Sequence, residues 1–104
     1  MEIKDIKIGR YYLIKKLNET GDWKGFPLEV RKSKIWIGKC LYANKREKRL
    51  KYAQFEYLYT TGKRLEGDLN NISKNWNNHE DCIIREVKSS EIDKIMKNLW
   101  VYAI

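Results

Sequence analysis

Apolar and polar positions alternate with a period of two through much of the first sixty residues, and the period lengthens near the C-terminus. Residues 10–17 predict a strand: Tyr11, Leu13 and Leu17 share one face, Tyr12 and Ile14 the other. Asn18-Glu19-Thr20-Gly21-Asp22 reads as a turn, because Asn and Gly tolerate positive φ, and Trp23-Lys24-Gly25 extends it. Phe26, Leu28 and Val30 then alternate against Pro27, Glu29 and Arg31, as in a half-buried strand. Pro27 has no backbone donor, so that strand starts there or lies at an edge. Residues 34–43 form the strongest strand, rich in β-branched and aromatic types, with Gly38 marking a bulge or bend. A polar tip over 44–49 leads into a returning strand over 50–59, with Ala53, Phe55, Tyr57 and Tyr59 on one face. Thr60-Thr61-Gly62-Lys63 turns the chain again, which makes a meander of four strands.

Residues 63–81 support two readings. Leu65, Leu69, Ile72 and Trp76 recur at helical spacing, and Asp68 suits a cap. Gly67 and the asparagines at 70, 71, 75, 77 and 78 favour a loop pinned by Trp76. A fifth strand is expected over 82–87. Ser89 or Ser90 then caps a helix to about residue 100, whose apolar stripe is Ile92, Ile95, Met96, Leu99 and Trp100. Glu91 and Asp93 in its first turn, with Lys94 and Lys97 later, complement the helix dipole. Residues 101–104 are expected to pair as a short final strand. The fold class is therefore mainly β (β+α), a five-stranded meander or barrel with a C-terminal amphipathic helix.

Length and composition narrow this further. At 104 residues the chain is expected to form a single domain, 1–104. Four Trp and seven Tyr supply large buried areas for a small core. No run approaches the ~18–20 apolar residues of a membrane span. The mixed charge of residues 1–5 does not look like a secretory leader, so a cytoplasmic protein without membrane partners is expected. Cys40 and Cys82 lie far apart in apolar segments and are expected to be reduced and inert.

Charge changes the picture most. The formal net charge is +8. Residues 31–51 contain Arg31, Lys32, Lys34, Lys39, Lys45, Arg46, Lys48, Arg49 and Lys51 against Glu47 alone, and nine minus one is eight. The rest of the chain is neutral. Such a cluster beside a hairpin tip can neutralise backbone phosphates. Interleaved aromatics, Trp36, Tyr42 and Tyr52, can stack on bases when exposed. Trp23, in a turn beside two glycines, is a further candidate anchor. The plainer account is a solvated tip whose charges protect strand edges from aggregation. The candidate binding surface comprises these nine cations with Trp36 and Trp23.

No catalytic or metal-binding signature is present. His79 precedes Glu80, Asp81 and Cys82, but successive strand residues face opposite ways, so a surface turn is expected there. Phosphate loops, nucleophile elbows and paired C-x-x-C are missing from the sequence. No catalytic residue, metal or cofactor is expected.

The order of elements resembles an SH3-like small barrel: a lead-in closed by Ile8-Gly9, a strand, a loop holding Gly21 and Gly25, further strands and a closing helix. Such barrels bind nucleic acids, peptides and modified tails. Gly9-Arg10-Tyr11-Tyr12-Leu13 and Gly25-Phe26-Pro27-Leu28-Glu29-Val30 are loosely similar to the early pattern of the MazF-like toxin endoribonucleases. Phe26 stands where that family usually has Arg, and its later catalytic threonine has no counterpart. Three functions follow, in order of preference: a nucleic-acid-binding module for RNA or DNA, a protein-interaction or inhibitor module docking on an acidic or nucleic-acid-bound partner, and a ribonuclease. An inhibitor of host machinery encoded by a phage or mobile element belongs to the second class. DNA mimicry is excluded, since a mimic needs net negative charge.

Overall fold

The computed structural model describes residues 1–16, 34–47, 49–65 and 75–103, with backbone alone at 75 and 76. The expected strand at 26–31, the Trp23 turn and the candidates Arg31, Lys32 and Lys48 lie outside the described residues. So do the positions 67–72 on which the helix-or-loop question turned.

Among the described residues six strands form one antiparallel sheet: β1 (Tyr11–Lys15), β2 (Ile35–Ala43), β3 (Tyr52–Thr60), β4 (Lys63–Arg64), β5 (Asn75–His79) and β6 (Ile83–Val87). The order is β4-β3-β2-β1-β6, and β5 also pairs with β3. Among the described residues this sheet is open. The expected barrel is corrected: β6 ends one edge, and β4 and β5 share the other. Trp76 lies in β5, so the helical spacing that joined it to Leu65 does not describe this segment.

Alternation along β1 sends side chains into two separate cores. Tyr12 and Ile14 join Trp36, Cys40, Ala53, Phe55 and Tyr57 on one face. Leu13 joins Ile35, Ile37 and Val87 on the other, together with Ile92, Ile95 and Leu99 from the C-terminal segment. Burying both faces explains why β1 reads as a continuous apolar run between Arg10 and Lys15.

Two bulges redirect side chains in the β2–β3 pairing. Ile37 pairs with Tyr59 but Gly38 pairs with Tyr57, which leaves Leu58 as an extra residue on β3. Tyr59 is thereby turned to the second core, away from the face of Phe55 and Tyr57 that simple alternation assigned it. On β2, Cys40 opposes Phe55 and Tyr42 opposes Gln54, so Leu41 is extra there. Gly38 lies where the strands approach most closely. A Cβ at that position would fall 2.9 Å from Ile14 Cδ1 and 3.0 Å from Phe55 Cβ.

The C-terminal segment keeps the expected stripe but not the expected helix. A 3-10 turn (Ser89–Glu91) leads into α1 (Ile92–Ile95), and a second 3-10 turn spans Leu99–Tyr102 in place of a final strand. Two features end α1 early, one tertiary and one local. The Gly62 N–H donates to the Met96 carbonyl at 2.6 Å, taking an acceptor that a continuing helix would use. Asn98 is extended (φ −157°, ψ 93°), and its side chain accepts from the Trp100 N–H at 3.2 Å. Ile92, Ile95 and Leu99 are nonetheless buried, whereas Trp100 is exposed with Lys15 5.5 Å from its ring. An Arg85–Glu91 contact of 2.8 Å ties the start of this segment to β6, and that bond holds the Glu91 carboxyl below its ordinary pKa. No helix among the described residues is long and apolar enough to cross a membrane.

Candidate binding surface at the hairpin tip

The hairpin tip joins β2 to β3 and is organised from inside by Asn44, which is buried. Its N–H donates to the Tyr52 carbonyl, and its side-chain amide donates to the Leu50 carbonyl at 3.2 Å. Its Oδ1 accepts from the Glu47 N–H at 3.3 Å. One asparagine thus satisfies the tip's backbone and leaves the flanking charged side chains outside.

Lys45, Arg46 and Arg49 are exposed and form no ion pair with any described residue. The Lys45 ammonium reaches the Lys4 carbonyl only at 3.5 Å, the outer limit of a hydrogen bond. Lys51 differs, because its ammonium lies 3.7 Å from Glu80 Oε1. Glu80 also accepts from the Ile3 N–H at 3.0 Å, and its own N–H donates to the Lys51 carbonyl. Glu80 therefore clamps the N-terminal segment and the returning strand together and draws Lys51 into that arrangement.

The other sequence candidates disperse. Lys39 is half-buried in β2, opposite Tyr11 and Glu56 in register. Lys34 precedes β2 at its far end, separated from the tip by roughly 30 Å of strand. Trp36 is corrected outright. It is fully buried against Tyr57 and offers no face to a ligand. Alternation could not say which β2 face would be covered, and here both are.

Two clefts flank Lys45. The larger, about 470 Å³, lies between the N-terminal 3-10 turn (Ile3–Asp5) and the tip, and Glu2, Glu47 and Glu80 line it. The smaller, about 380 Å³, is lined by Ile6, Lys7, Ile8, Tyr42, Ala43, Lys45 and Arg46 and has no carboxylate in its lining. Lys7 and Ile8 were not legible as site residues, because they lie outside the basic window. A turn at Gly9, with φ of +85°, brings them in. The Gly9 N–H donates to the Cys40 carbonyl at 2.8 Å, which lays residues 6–8 beside the end of β2.

Among the described residues no group of three or more His, Cys, Asp or Glu is placed to hold a metal ion. His79 ends β5, and its Nδ1 accepts from the Asp81 N–H, a local cap for the following 3-10 turn (Glu80–Cys82). The chain matches no known family, no curated protein and no solved structure.

Proposed function

We propose that this chain binds nucleic acid, RNA or DNA, through the tip of the β2–β3 hairpin. The observation that carries the reading is the set of exposed cations Lys45, Arg46 and Arg49, which form no ion pair among the described residues, on a turn braced by Asn44. Cations without carboxylate partners are free to release counterions from phosphates, and a braced turn loses little entropy in presenting them. Lys7 enlarges the same positive surface from the N-terminal side.

The test is a set of binding titrations of labelled single-stranded and duplex oligonucleotides at several salt concentrations. The proteins are the wild type and a variant carrying Lys45→Glu, Arg46→Glu and Arg49→Glu. Exposed charges contribute little to stability, so the variant keeps its thermal transition. Affinity of the wild type falls steeply with salt, and the variant's slope is shallower by about 0.7–0.9 per lost phosphate contact. Equal affinity of the two proteins overturns the proposal. Absence of binding at low salt overturns it too, and directs attention to the exposed Trp100 and Val101 as a protein-docking surface.

A further inference from the structure

The two clefts beside Lys45 differ in a way that selects a ligand. Both are open grooves of similar size, but among the described residues three carboxylates line the larger and none lines the smaller. In the larger cleft those carboxylates are balanced by Lys4, Lys45 and Lys51, whereas in the smaller Lys7, Lys45 and Arg46 are left to draw a phosphate. The smaller cleft also has an aromatic wall, which the described lining of its neighbour lacks. Tyr42 is 44% exposed and Ile8 67% exposed, and both face this groove.

Each of these exposures has a structural cause. Strict alternation after Cys40 would turn Tyr42 into the first core. The extra residue at Leu41 reverses that, so Tyr42 emerges on the face of Gln54 while Ala43 takes the inward position opposite Ala53. Ile8 shares parity with the buried Ile6, yet the positive-φ turn at Gly9 leaves it outside. An aromatic ring and an aliphatic side chain thus face a groove rimmed by three cations. A base needs such walls on its two faces, and its flanking phosphates need such a rim.

We infer that the cleft between residues 6–8 and 42–46 holds one unstacked base of a single-stranded nucleic acid, with Tyr42 as stacking platform and Lys7, Lys45 and Arg46 on the adjacent phosphates. A volume of about 380 Å³ lies at the small end of ligand sites, which suits one base. Duplexes keep base faces stacked internally, so they engage the cations but not Tyr42. This inference rests on the nucleic-acid reading of the tip and adds strandedness and a defined subsite.

The probes are a labelled single-stranded pyrimidine oligonucleotide, an abasic strand with the same number of phosphates, and a blunt duplex. Each is titrated against wild type, Tyr42→Ser, Tyr42→Phe and Ile8→Ser, with thermal melts to verify folding. Tyr42→Ser weakens binding of the base-bearing strand roughly tenfold or more, and the abasic strand is unaffected. Tyr42→Phe retains the wild-type preference, and Ile8→Ser weakens the base-bearing strand alone. The salt slope is the same in all four proteins, because no phosphate contact has changed. If Tyr42→Ser and Ile8→Ser bind all three probes like wild type while the charge-reversed tip does not bind, the base subsite is wrong and the nucleic-acid reading stands. If wild type binds none of the probes, both fail.

Discussion

The indole of Trp36 lies flat on the ring of Tyr57, with centroids 4.7 Å apart and planes 5° from parallel. Both residues are fully buried. The Tyr57 hydroxyl in turn donates to Asn78 Oδ1 at 2.7 Å. This links β2, β3 and β5 through one stack and one buried hydrogen bond, and it uses up the tryptophan best placed in sequence to meet a base. Beside the tip, the exposed aromatic among the described residues is Tyr42, which a bulge turns outward.

Tyr57 makes the fold sensitive to alkali. Burial pushes its phenol pKa well above the ordinary value, although the Asn78 hydrogen bond opposes the shift, and burial also raises Tyr12. Below about pH 10 both phenols are neutral in the folded and unfolded chains, so they add no pH dependence. Above that the unfolded chain releases protons that the folded chain retains, so stability falls as pH rises. Urea midpoints should decline steadily beyond about pH 10. Tyr57→Phe should lower stability by about 1–3 kcal/mol at neutral pH, by stranding Asn78 Oδ1, and flatten the alkaline decline. Parallel pH profiles for the two proteins would refute this.

Gly38→Ala should destabilise the sheet by about 1–3 kcal/mol. The added methyl meets Ile14 Cδ1, Phe55 Cβ and the Glu56 carbonyl at 3.3 Å or closer, all within a packed strand pair. Either β3 moves away or the core repacks. Denaturant melts would show it, and an unchanged midpoint would mean that the pairing is looser than described.

Adjacent positions in the last turn should respond unequally. Leu99 is fully buried with Leu13, Ile35 and Ile37, so Leu99→Ala should lower stability by about 2–5 kcal/mol. Trp100 is 42% exposed and touches Lys15, a contact contributing about 0.5–1 kcal/mol. Trp100→Ala should therefore be mild despite removing a larger side chain. Equal losses would contradict the broken helix, because a continuous one orients these residues differently.

The two thiols should differ in reactivity. Cys40 is fully buried and desolvation raises its pKa, so little thiolate forms and reagent cannot enter. Cys82 is only half-buried at the end of the 3-10 turn that precedes β6. One equivalent of an alkylating reagent should label the native protein, with the second site reacting after unfolding. Fast labelling of both would show that the first core opens readily.

Local pattern was enough for several features. The opposed faces of Tyr11–Ile14, the hairpin over 34–59 and the burial of Ile92, Ile95 and Leu99 all follow from side-chain period, which neighbouring residues set by themselves. The concentration of charge in residues 31–51 was also plain in the sequence. Which of those charges are available was not, since the pairing of Lys51 with Glu80 depends on a strand that begins well downstream of the tip.

What the chain determined by itself is therefore a set of strands with two apolar faces and a basic tip. The tertiary structure decided where that pattern slips. Extra residues at Leu41 and Leu58 arise from fitting β2 against β3, and they reverse the faces of Tyr42 and Tyr59. Gly62 breaks the last helix because a turn from another part of the chain competes for its Met96 carbonyl. Lys7 and Ile8 reach Tyr42, Lys45 and Arg46 only when the Gly9 turn docks on β2. Period is a property of neighbours in sequence, whereas bulges, competing hydrogen bonds and grooves depend on residues dozens of positions apart.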